Sequence, residues 1–381
     1  MKLSILAAMA AAAALAAAGQ PAEVAPPLAP QSGSIPADGY FEKAERVAEG
    51  VWVIRQGEPF HIQPIGNVVV IEQADGLVLV DSGGSPGSGR RIVGLVRKLS
   101  PKPVKAVVLS HWHGDHTLGL SAIRAAWPRL EVVAHRKTAV ALSGKPMSAY
   151  AKDAPDAGKT ADFMKRLDGF EPFLARQVAD ASLAPAVRAG FERTQREFYR
   201  YRADTRDLYL VTPTRSYDGR LVLADPIRPV ELIHPGRANT EGDTVAWLPK
   251  QKVLIAGDLV VAPVPFGFNA YPADWVAALN RLRGYDFQVL IPGHGPPQRD
   301  RAYLDRVVVL IGDVRAQVAP LARQGLSLEE ARTKVDLSRQ AALFTGGDPW
   351  LERWFKAYWA DPFTEAAWKE AKGVPIEQGT G

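Results

Sequence analysis

The stretch Leu109-Ser110-His111-Trp112-His113-Gly114-Asp115-His116 places three imidazoles and a carboxylate within six residues. It follows an apolar run that predicts a β-strand over 104–109 and precedes a predicted helix over about 117–126. In an extended loop the first two histidines point the same way, because alternate side chains share a face. The glycine then allows a sharp turn toward the Asp-His pair. This spacing predicts two adjacent metal positions, each bound by one half of the motif.

Each of three other predicted strands is followed shortly by an Asp or His that can bind metal. The segments are Val78-Leu79-Val80-Asp81, Leu254-Ile255-Ala256-Gly257-Asp258 and Leu290-Ile291-Pro292-Gly293-His294-Gly295. Taken alone, each aspartate could equally cap a turn. Beside the histidine motif we interpret all three end residues as ligands or as supports for ligands, because sheet proteins place functional residues where strands end. The chain has no cysteine, so any metal must be bound by His, Asp, Glu or neutral oxygen atoms.

The 381-residue chain has the composition of a globular protein, with 47% hydrophobic and 23% charged residues. Two strand-rich regions are each followed by helices, which indicates two sheets covered by helices. The predicted strands are 51–54, 67–71, 77–80, 104–109, 131–134, 208–211, 221–224, 230–233, 244–248, 253–256 and 288–291. The predicted helices are 89–99, 117–126, 273–282, 300–324, 327–335 and 349–371.

Residues 144–206 differ from the regions around them, because they are rich in Ala, Arg, Lys and Glu and carry few strand signals. We interpret this segment as a helical insertion whose aromatic residues pack in the core. The loop from Val261 to Trp275 contains two phenylalanines, a tyrosine and a tryptophan. We expect the insertion and this loop to wall a pocket for a partly apolar substrate.

In their order along the chain, these residues resemble the metallo-β-lactamase superfamily of binuclear metal hydrolases. The matching set, over roughly residues 45–300, is Asp81, the His111–His116 motif, Thr240-Glu241-Gly242-Asp243, Asp258 in Gly-Asp and His294 in Gly-His-Gly. The resemblance implies an α+β fold, an αββα sandwich with a helical insertion and a helical C-terminal extension. We expect the superfamily domain over 40–300, with its insertion over about 144–206, the extension over 301–373 and a tail over 374–381.

The resemblance also implies two divalent metal ions, zinc in the first place, with manganese or iron as alternatives. The expected ligands are His111 and His113 for the first ion, Asp115, His116 and His294 for the second, and Asp258 as the bridge. The expected supports for these ligands are Asp81, Thr240 and Asp243. The two ions would lower the pKa of a shared water, and Asp115 would act in catalysis by accepting its proton.

One position departs from the superfamily pattern. The residue before Thr240 is usually His, and here it is Asn239. An amide oxygen binds zinc less strongly than an imidazole, so we expect Asn239 to make the first metal position weak or selective for a harder ion. His234 could replace Asn239 as a ligand, although a lone His commonly has a structural role. His234 and His61, which lies in a loop that could overhang the site, are candidates for contact with the substrate.

A second departure concerns the substrate. β-Lactamases of the superfamily carry Cys or Ser where this chain has Asp258. A bridging Asp at this position instead resembles the pattern of the glyoxalase-type thioesterases, lactonases, phosphodiesterases and sulfatases. We therefore predict a hydrolase acting on a small ester, thioester, lactone or related molecule. The alternatives are β-lactamase-like amide hydrolysis and a weakly active metal-binding or sensing protein with an impaired first site. A nuclease-like phosphodiesterase is disfavoured, because the sequence shows no basic stripe.

The amino terminus has the pattern of a secretory signal peptide over 1–18, with a lysine, an apolar run and small residues at a cleavage position. An uncleaved anchor is the alternative, although the run is short for a bilayer. Residues 19–39 contain five prolines and predict a flexible tether. We expect export to the periplasm, a small-molecule substrate and no stable membrane insertion after cleavage. A net charge of +5 without a block of like charges predicts no nucleic-acid partner, and the oligomeric state stays open.

Overall fold

The computed structural model describes residues 39–57, 61 and 65–379. The predicted signal peptide, and the predicted tether except its last residue, lie outside the described residues. Two β-sheets face each other at the centre of the fold, and helices cover their outer faces. In the described ranges no helix is both long enough and apolar enough to cross a bilayer.

The first sheet has seven strands in sequence order. They are β1 (Lys43–Ala48), β2 (Val51–Arg55), β3 (Val68–Glu72), β4 (Leu77–Val80), β5 (Val104–Leu109), β6 (Glu131–His135) and β7 (Arg215–Tyr217). The first four strands pair antiparallel, whereas β4 to β7 run parallel, so that their carboxyl ends meet at one edge. The central strands β3, β4 and β5 are almost wholly buried, which explains their unbroken runs of apolar residues.

The second sheet has five strands in the order β12-β11-β10-β9-β8. They are β8 (Arg220–Leu223), β9 (Val230–Ile233), β10 (Val245–Leu248), β11 (Val253–Val261) and β12 (Val289–His294). Val53, Val78 and Val108 of the first sheet pack against Leu232 and Ile255 of the second. This apolar layer holds the two sheets together, because it removes one face of each from water.

Helices cover both outer faces. They are α1 (Pro86–Leu99), α2 (Gly114–Thr117), α3 (Leu120–Ala126), α4 (Arg136–Ser143), α5 (Ala157–Asp168), α6 (Glu171–Ala179), α7 (Pro185–Asp204), α8 (Pro272–Leu282), α9 (Ala302–Arg323), α10 (Leu328–Lys334), α11 (Ser338–Thr345), α12 (Pro349–Trp354) and α13 (Asp361–Lys372). In α1, Ser85 caps the first turn, and Ile92 and Val96 are buried on the sheet side. The predicted αββα sandwich of the α+β class is confirmed.

The last helices pack onto the helices that lie between β6 and β7. Trp350 of α12 sits edge-on to Phe191 of α7, with ring centroids 5.2 Å apart. Gly190 permits this approach, because a Cβ there would lie 2.3 Å from the Trp350 ring. A π turn at Phe355–Ala360 then contacts the segment after β11, where the Gly267 N–H donates to the Tyr358 carbonyl at 2.8 Å. Helices distant in sequence thus close over one side of the sandwich.

Several predicted elements differ from the structure. Residues 208–211 form no strand, and Leu210 makes a single bridge to Lys152. Strands β1 and β7 escape sequence analysis because they lie at the two edges of the first sheet and are mostly exposed, which removes the apolar alternation. Helix α11 is also missed, and the predicted helix over 349–371 is interrupted by the π turn.

Candidate metal centre

The predicted ligands come from both sheets. Asp81 follows β4, the histidine motif follows β5, and Asp258 and His294 lie in β11 and β12. The two sheets approach closely at Gly257, whose φ is +54° and where a Cβ would lie 2.9 Å from the Ser110 Cβ. Two separate sheet edges therefore bring their polar residues to one place.

The first ligand group consists of His111, His113 and Asp258. The Nε2 atom of His111 lies 2.9 Å from His113 Nδ1 and 3.5 Å from Asp258 Oδ2. Burial and the neighbouring imidazoles hold the pKa of His111 well below its usual value, and burial also lowers the pKa of His113. Both imidazoles are therefore neutral at pH 7, which is the form that binds metal.

The second ligand group consists of Asp115, His116, Asp258 and His294. The Nε2 atom of His294 lies 2.9 Å from Asp115 Oδ2, and His116 Nε2 lies 3.1 Å from His294 Nε2 and 3.2 Å from Asp258 Oδ1. Among the described residues, Asp258 alone belongs to both groups. The two groups contain the residues that the resemblance implies for the two positions, with Asp258 in both, and their roles as ligands stay predictions.

Charge is distributed differently in the second group. Burial opposes a proton on His116, but the carboxylates of Asp258, Asp115 and Asp81 outweigh burial and raise its pKa well above the usual value. Burial also opposes ionisation of Asp115, yet His116 and His294 outweigh it and lower the pKa of this carboxyl. Without metal, His116 therefore carries a proton among ionised carboxylates, and a cation has to displace that proton to bind.

Asp81 orients the ligands from behind. Its Oδ1 accepts from the Ser110 N–H at 2.7 Å, and its Oδ2 accepts from Ser110 Oγ at 2.7 Å. The same Oδ2 lies 2.8 Å from His116 Nδ1, which turns Nε2 of that ring toward the centre. The backbone of Asp81 has φ +65°, a conformation that non-glycine residues rarely adopt. The predicted supporting role of Asp81 agrees with these contacts.

Asn239 is buried and contacts Phe266, a residue that packs against the first group. Its Nδ2 donates to the Phe266 carbonyl at 3.2 Å, and the Phe266 ring lies 5.7 Å from the ring of His113. Its Oδ1 is buried and has no hydrogen-bond partner in the described part of the chain. An amide oxygen left in this state destabilises a protein, and a cation would satisfy it. This oxygen and the two ligand groups together fit a pair of divalent cations.

The turn after Asn239 is held by its own residues. Asp243 accepts three hydrogen bonds, from the N–H groups of Ala238 at 3.1 Å and Thr240 at 2.8 Å and from Thr240 Oγ1 at 3.0 Å. Burial raises the pKa of Asp243 to about 7, although these bonds favour the ionised form. Thr240 and Asp243 therefore support the position of Asn239, in agreement with the role that the sequence predicts for them.

His234 has partners outside the centre. Its ring stacks on the ring of His135 with centroids 4.0 Å apart, and its Nδ1 lies 2.8 Å from the Asp243 carbonyl oxygen. It belongs to neither ligand group, so the alternative in which His234 replaces Asn239 as a ligand stays a prediction that this geometry does not favour. The position of His234 directly after β9 suggested a ligand, but its ring stacks on His135 and contacts the turn that Asp243 closes.

His61 is also engaged by the protein. Its Nδ1 lies 2.8 Å from Glu197 Oε2, and its Nε2 lies 2.9 Å from the Gly57 carbonyl oxygen. Both ring nitrogens are thus occupied, and the ring is buried. The predicted contacts of His61 and His234 with substrate stay predictions that this geometry does not favour.

Three buried tyrosines that the sequence analysis does not single out are affected by the charge of Asp115. Tyr150 precedes α5, Tyr201 lies in α7, and Tyr358 lies in the π turn. Burial raises the pKa of each phenol, and the Asp115 carboxylate adds to the rise. The phenols stay protonated at neutral pH and can donate hydrogen bonds. No sequence pattern marks them, because tyrosines at such spacings are ordinary core residues.

Comparison with known proteins agrees with this arrangement. A family model described as the metallo-beta-lactamase superfamily matches residues 62–294, which is more than half of the chain and includes the ligands from His111 to His294. The chain belongs to the metallo-beta-lactamase superfamily. The family match and the fold of a related structure confirm the resemblance that the sequence predicts.

Individual relatives of this superfamily member are distant. It is 25% identical over 316 residues to the linear primary-alkylsulfatase of Pseudomonas sp. (strain ATCC 19151), and this alignment covers 75% of this chain and 52% of the relative. It is 24% identical over 254 residues to metallo-beta-lactamase type 2 of Bacillus sp. (strain 170), and this alignment covers 65% of this chain and 74% of the relative. The structure of the sec-alkylsulfatase Pisa1 from Pseudomonas sp. is 20% identical, with a TM-score of 0.61, over 86% of this chain and 50% of that chain. The chain spans about half the length of these alkylsulfatases.

Proposed function

We propose that the protein is an exported hydrolase that depends on two divalent metal ions and cleaves a small ester, thioester, lactone or related molecule. The observation that carries the proposal is the pair of ligand groups that share Asp258. Relatives named as an alkylsulfatase and a metallo-beta-lactamase support hydrolysis as the reaction class. We propose zinc for both positions, because His and carboxylate ligands suit it, with manganese or iron as alternatives.

Each residue of the centre has a part in this proposal. When bound, two divalent cations would lower the pKa of the reacting water toward about 7. The ligands would be His111, His113 and Asn239 at the first position, Asp115, His116 and His294 at the second, and Asp258 between them. Asp81 keeps the His116 ring oriented through Nδ1. Asp115 Oδ2 would take up the proton that the reacting water loses.

The surroundings support a substrate with an apolar part and an oxygen acceptor. The rings of Phe266 and Phe268 lie 4.8 Å apart, and Phe266 lies 5.8 Å from the ring of Tyr358. Protonated phenols near Asp115 supply neutral hydrogen-bond donors. Aromatic rings beside neutral donors suit an ester or a lactone, because the hydrocarbon part packs on the rings while a carbonyl oxygen accepts.

A second candidate reaction is the hydrolysis of an alkyl sulfate ester. It is favoured by the match to the linear primary-alkylsulfatase over 75% of this chain. The aromatic surroundings of the centre would suit the alkyl part of such a molecule as well. Because the chain spans about half the length of that relative, this activity is proposed as a candidate beside the carbonyl esters.

A panel of substrates tests the proposal. The chain is purified without chelator and assayed with a carboxylic ester, a thioester, a lactone, an alkyl sulfate and a β-lactam. We expect turnover of at least one carbonyl ester, thioester or lactone that stops with a chelator and returns with zinc. Fastest turnover of the alkyl sulfate would favour the second candidate, and fastest turnover of the lactam would favour amide hydrolysis. Bound metal without turnover of any substrate would contradict the proposal and favour the sensing alternative.

Export is proposed from residues 1–18 alone, which have the pattern of a signal peptide. The test fuses residues 1–39 to a reporter that is active after crossing the inner membrane. We expect an active, soluble reporter in the periplasm with its amino terminus cut near residue 18. An active reporter that stays in the membrane fraction would favour the uncleaved anchor, and an inactive one would contradict export.

A further inference from the structure

Residues 374–379, which follow α13, contact the loops that carry the first ligand group, and Gln378 makes the main contacts. Its Oε1 accepts from Trp112 Nε1 at 3.0 Å. Its Nε2 donates to the Asn269 carbonyl at 3.1 Å and to the Tyr271 hydroxyl at 3.2 Å. One side-chain amide therefore connects the histidine motif to the segment that follows β11.

On one side, the partner of Gln378 belongs to the histidine motif. Trp112 stands between His111 and His113 in the sequence, and its ring lies 4.5 Å from the ring of His113. Trp112 is buried, so it moves little without moving its neighbours. A hydrogen bond that fixes the Trp112 indole therefore also restricts the position of the His113 ring.

On the other side, the partner of Gln378 contacts the residues around Asn239. The Tyr271 N–H donates to the Ala238 carbonyl at 2.8 Å, and the Tyr271 hydroxyl donates to Glu241 Oε1 at 3.2 Å. Ala238 directly precedes Asn239, and Glu241 follows it by two residues. The Phe266 carbonyl, which accepts from Asn239 Nδ2, belongs to the same segment as Tyr271.

We propose that Gln378 is a positioning residue for the first metal position. It holds the loop of Trp112 and the loop of Asn239 at the separation at which His113 and Asn239 bind the same cation. The second position has a separate support, because Asp81 orients His116. The inference rests on the proposed function, since it assumes that a cation binds between these loops.

The full chain is stripped of metal and titrated with zinc alone. Gln378→Met keeps the length of the side chain and removes both hydrogen-bonding groups. Glu377→Ala is the matched control, because the exposed Glu377 side chain lies at the neighbouring position, 3.7 Å from Lys145. Asn239→Ala identifies the binding step of the first position, since it removes a ligand from that position alone.

We expect Gln378→Met to weaken the step that Asn239→Ala removes by about tenfold, the lower end of the cost of losing a partner that orients a metal ligand, because Gln378 acts through Trp112 and Tyr271. The other step, and both steps of Glu377→Ala, should keep the affinities of the unmodified protein. The Co²⁺ absorption spectrum of the first position should change in Gln378→Met. Gln378→Glu should recover part of the lost affinity, because its carboxylate can still accept from Trp112.

Two results would overturn the inference. One is a titration of Gln378→Met that matches the unmodified protein in both steps. The other is an equal weakening of both steps together with a lower melting temperature, because that result assigns Gln378 a general structural role. If the unmodified protein binds two ions but turns over no substrate, the proposed function fails while this titration still decides the role of Gln378. If it binds one ion, both proposals fail.

Discussion

The two halves of the metal centre are built from different donors. The half around His116 has two imidazoles and two carboxylates, and Asp81 orients one of the imidazoles. The half around His111 has two imidazoles and the shared Asp258, and the further donor that we propose for it is the amide of Asn239, whose oxygen has no partner in the described ranges. A carboxylate attracts a divalent cation more strongly than a neutral amide does. The half around His116 should therefore bind its cation more tightly.

This difference would make the two proposed metal positions unequal through a single residue. Asn239 stands where the resemblance to the superfamily implies His, on a turn fixed by Thr240 and Asp243. The hydrogen bonds of Asp243 that close the turn go to Ala238 and Thr240, so we expect a change of the Asn239 side chain to alter the affinity of the first position more than the stability of the fold. Activity that needs both cations would then follow the occupancy of the weaker half.

The largest effect should come from the residue that both halves share. Asp258→Ala removes a ligand from each group, so we expect both zinc steps to weaken and hydrolysis to fall by more than about 100-fold, beyond the usual effect of losing a supporting residue. Zinc titration and turnover with the best substrate of the panel measure this. Asp286→Ala is the matched control, because that exposed carboxylate pairs with Lys252 away from the centre. Retention of either zinc step at full affinity would contradict the shared role.

A change behind one half should separate the two. Asp81→Asn removes the charge that faces His116 Nδ1, and we expect the tighter zinc step to weaken by about 10–100-fold. The weaker step should change much less, because Asp81 reaches the first group indirectly, through Ser110. Calorimetric titration gives both affinities. If the two steps weaken equally, Asp81 supports the whole loop, which would contradict a support that is specific to the half around His116.

The two halves should respond differently to pH. In the metal-free protein the pKa of His116 lies well above its usual value, whereas the pKa values of His111 and His113 are lowered. Binding at the second position must therefore displace a proton at pH 7, and its affinity should rise by up to about tenfold per pH unit between pH 6 and 8. Binding at the first position should change little. Titrations in buffers of different ionisation enthalpy count the released protons, and equal release in both steps would refute this difference.

The smallest effect should come from making the halves more alike. Asn239→His supplies an imidazole in place of the amide, so we expect the weaker zinc step to tighten by on the order of tenfold, about 1.4 kcal/mol. If the first position is impaired, turnover at limiting zinc should increase. If Asn239 is a ligand suited to the reaction, turnover at saturating zinc should stay level or fall. An unchanged weaker step would show that Asn239 does not contribute to metal binding.

The sequence predicts those parts of the molecule whose structure depends on residues close together in the chain. Strand β4 at Leu77–Val80 and strand β9 at Val230–Ile233 have the predicted bounds, because short apolar runs are buried in the sheets. The proximity of four residues of the two candidate ligand groups was equally predictable, because the histidine motif keeps them within six positions. Asp258 and His294 were singled out because they follow predicted strands, and the superfamily resemblance assigned them to the same centre.

Sequence predicts poorly those parts that depend on contacts between distant residues. The edge strands β1 and β7 are polar on their exposed faces and pair because a neighbouring strand is present. Tyr358 and Gln378 reach the centre from the helices after β12 and from the segment beyond them. No sequence pattern distinguishes this tyrosine or this glutamine from others in the chain. Their positions depend on how the last helices pack onto α7.

Zinc binding to the metal-free chain tests the central claim most directly. The chain is loaded with zinc, the ions per chain are counted by elemental analysis, and the affinities are measured by titration. The structure predicts close to two ions per chain, bound in two unequal steps, of which Asn239→Ala removes the weaker. Close to one ion per chain, or two equal steps, would contradict a centre built from two unequal halves that share Asp258.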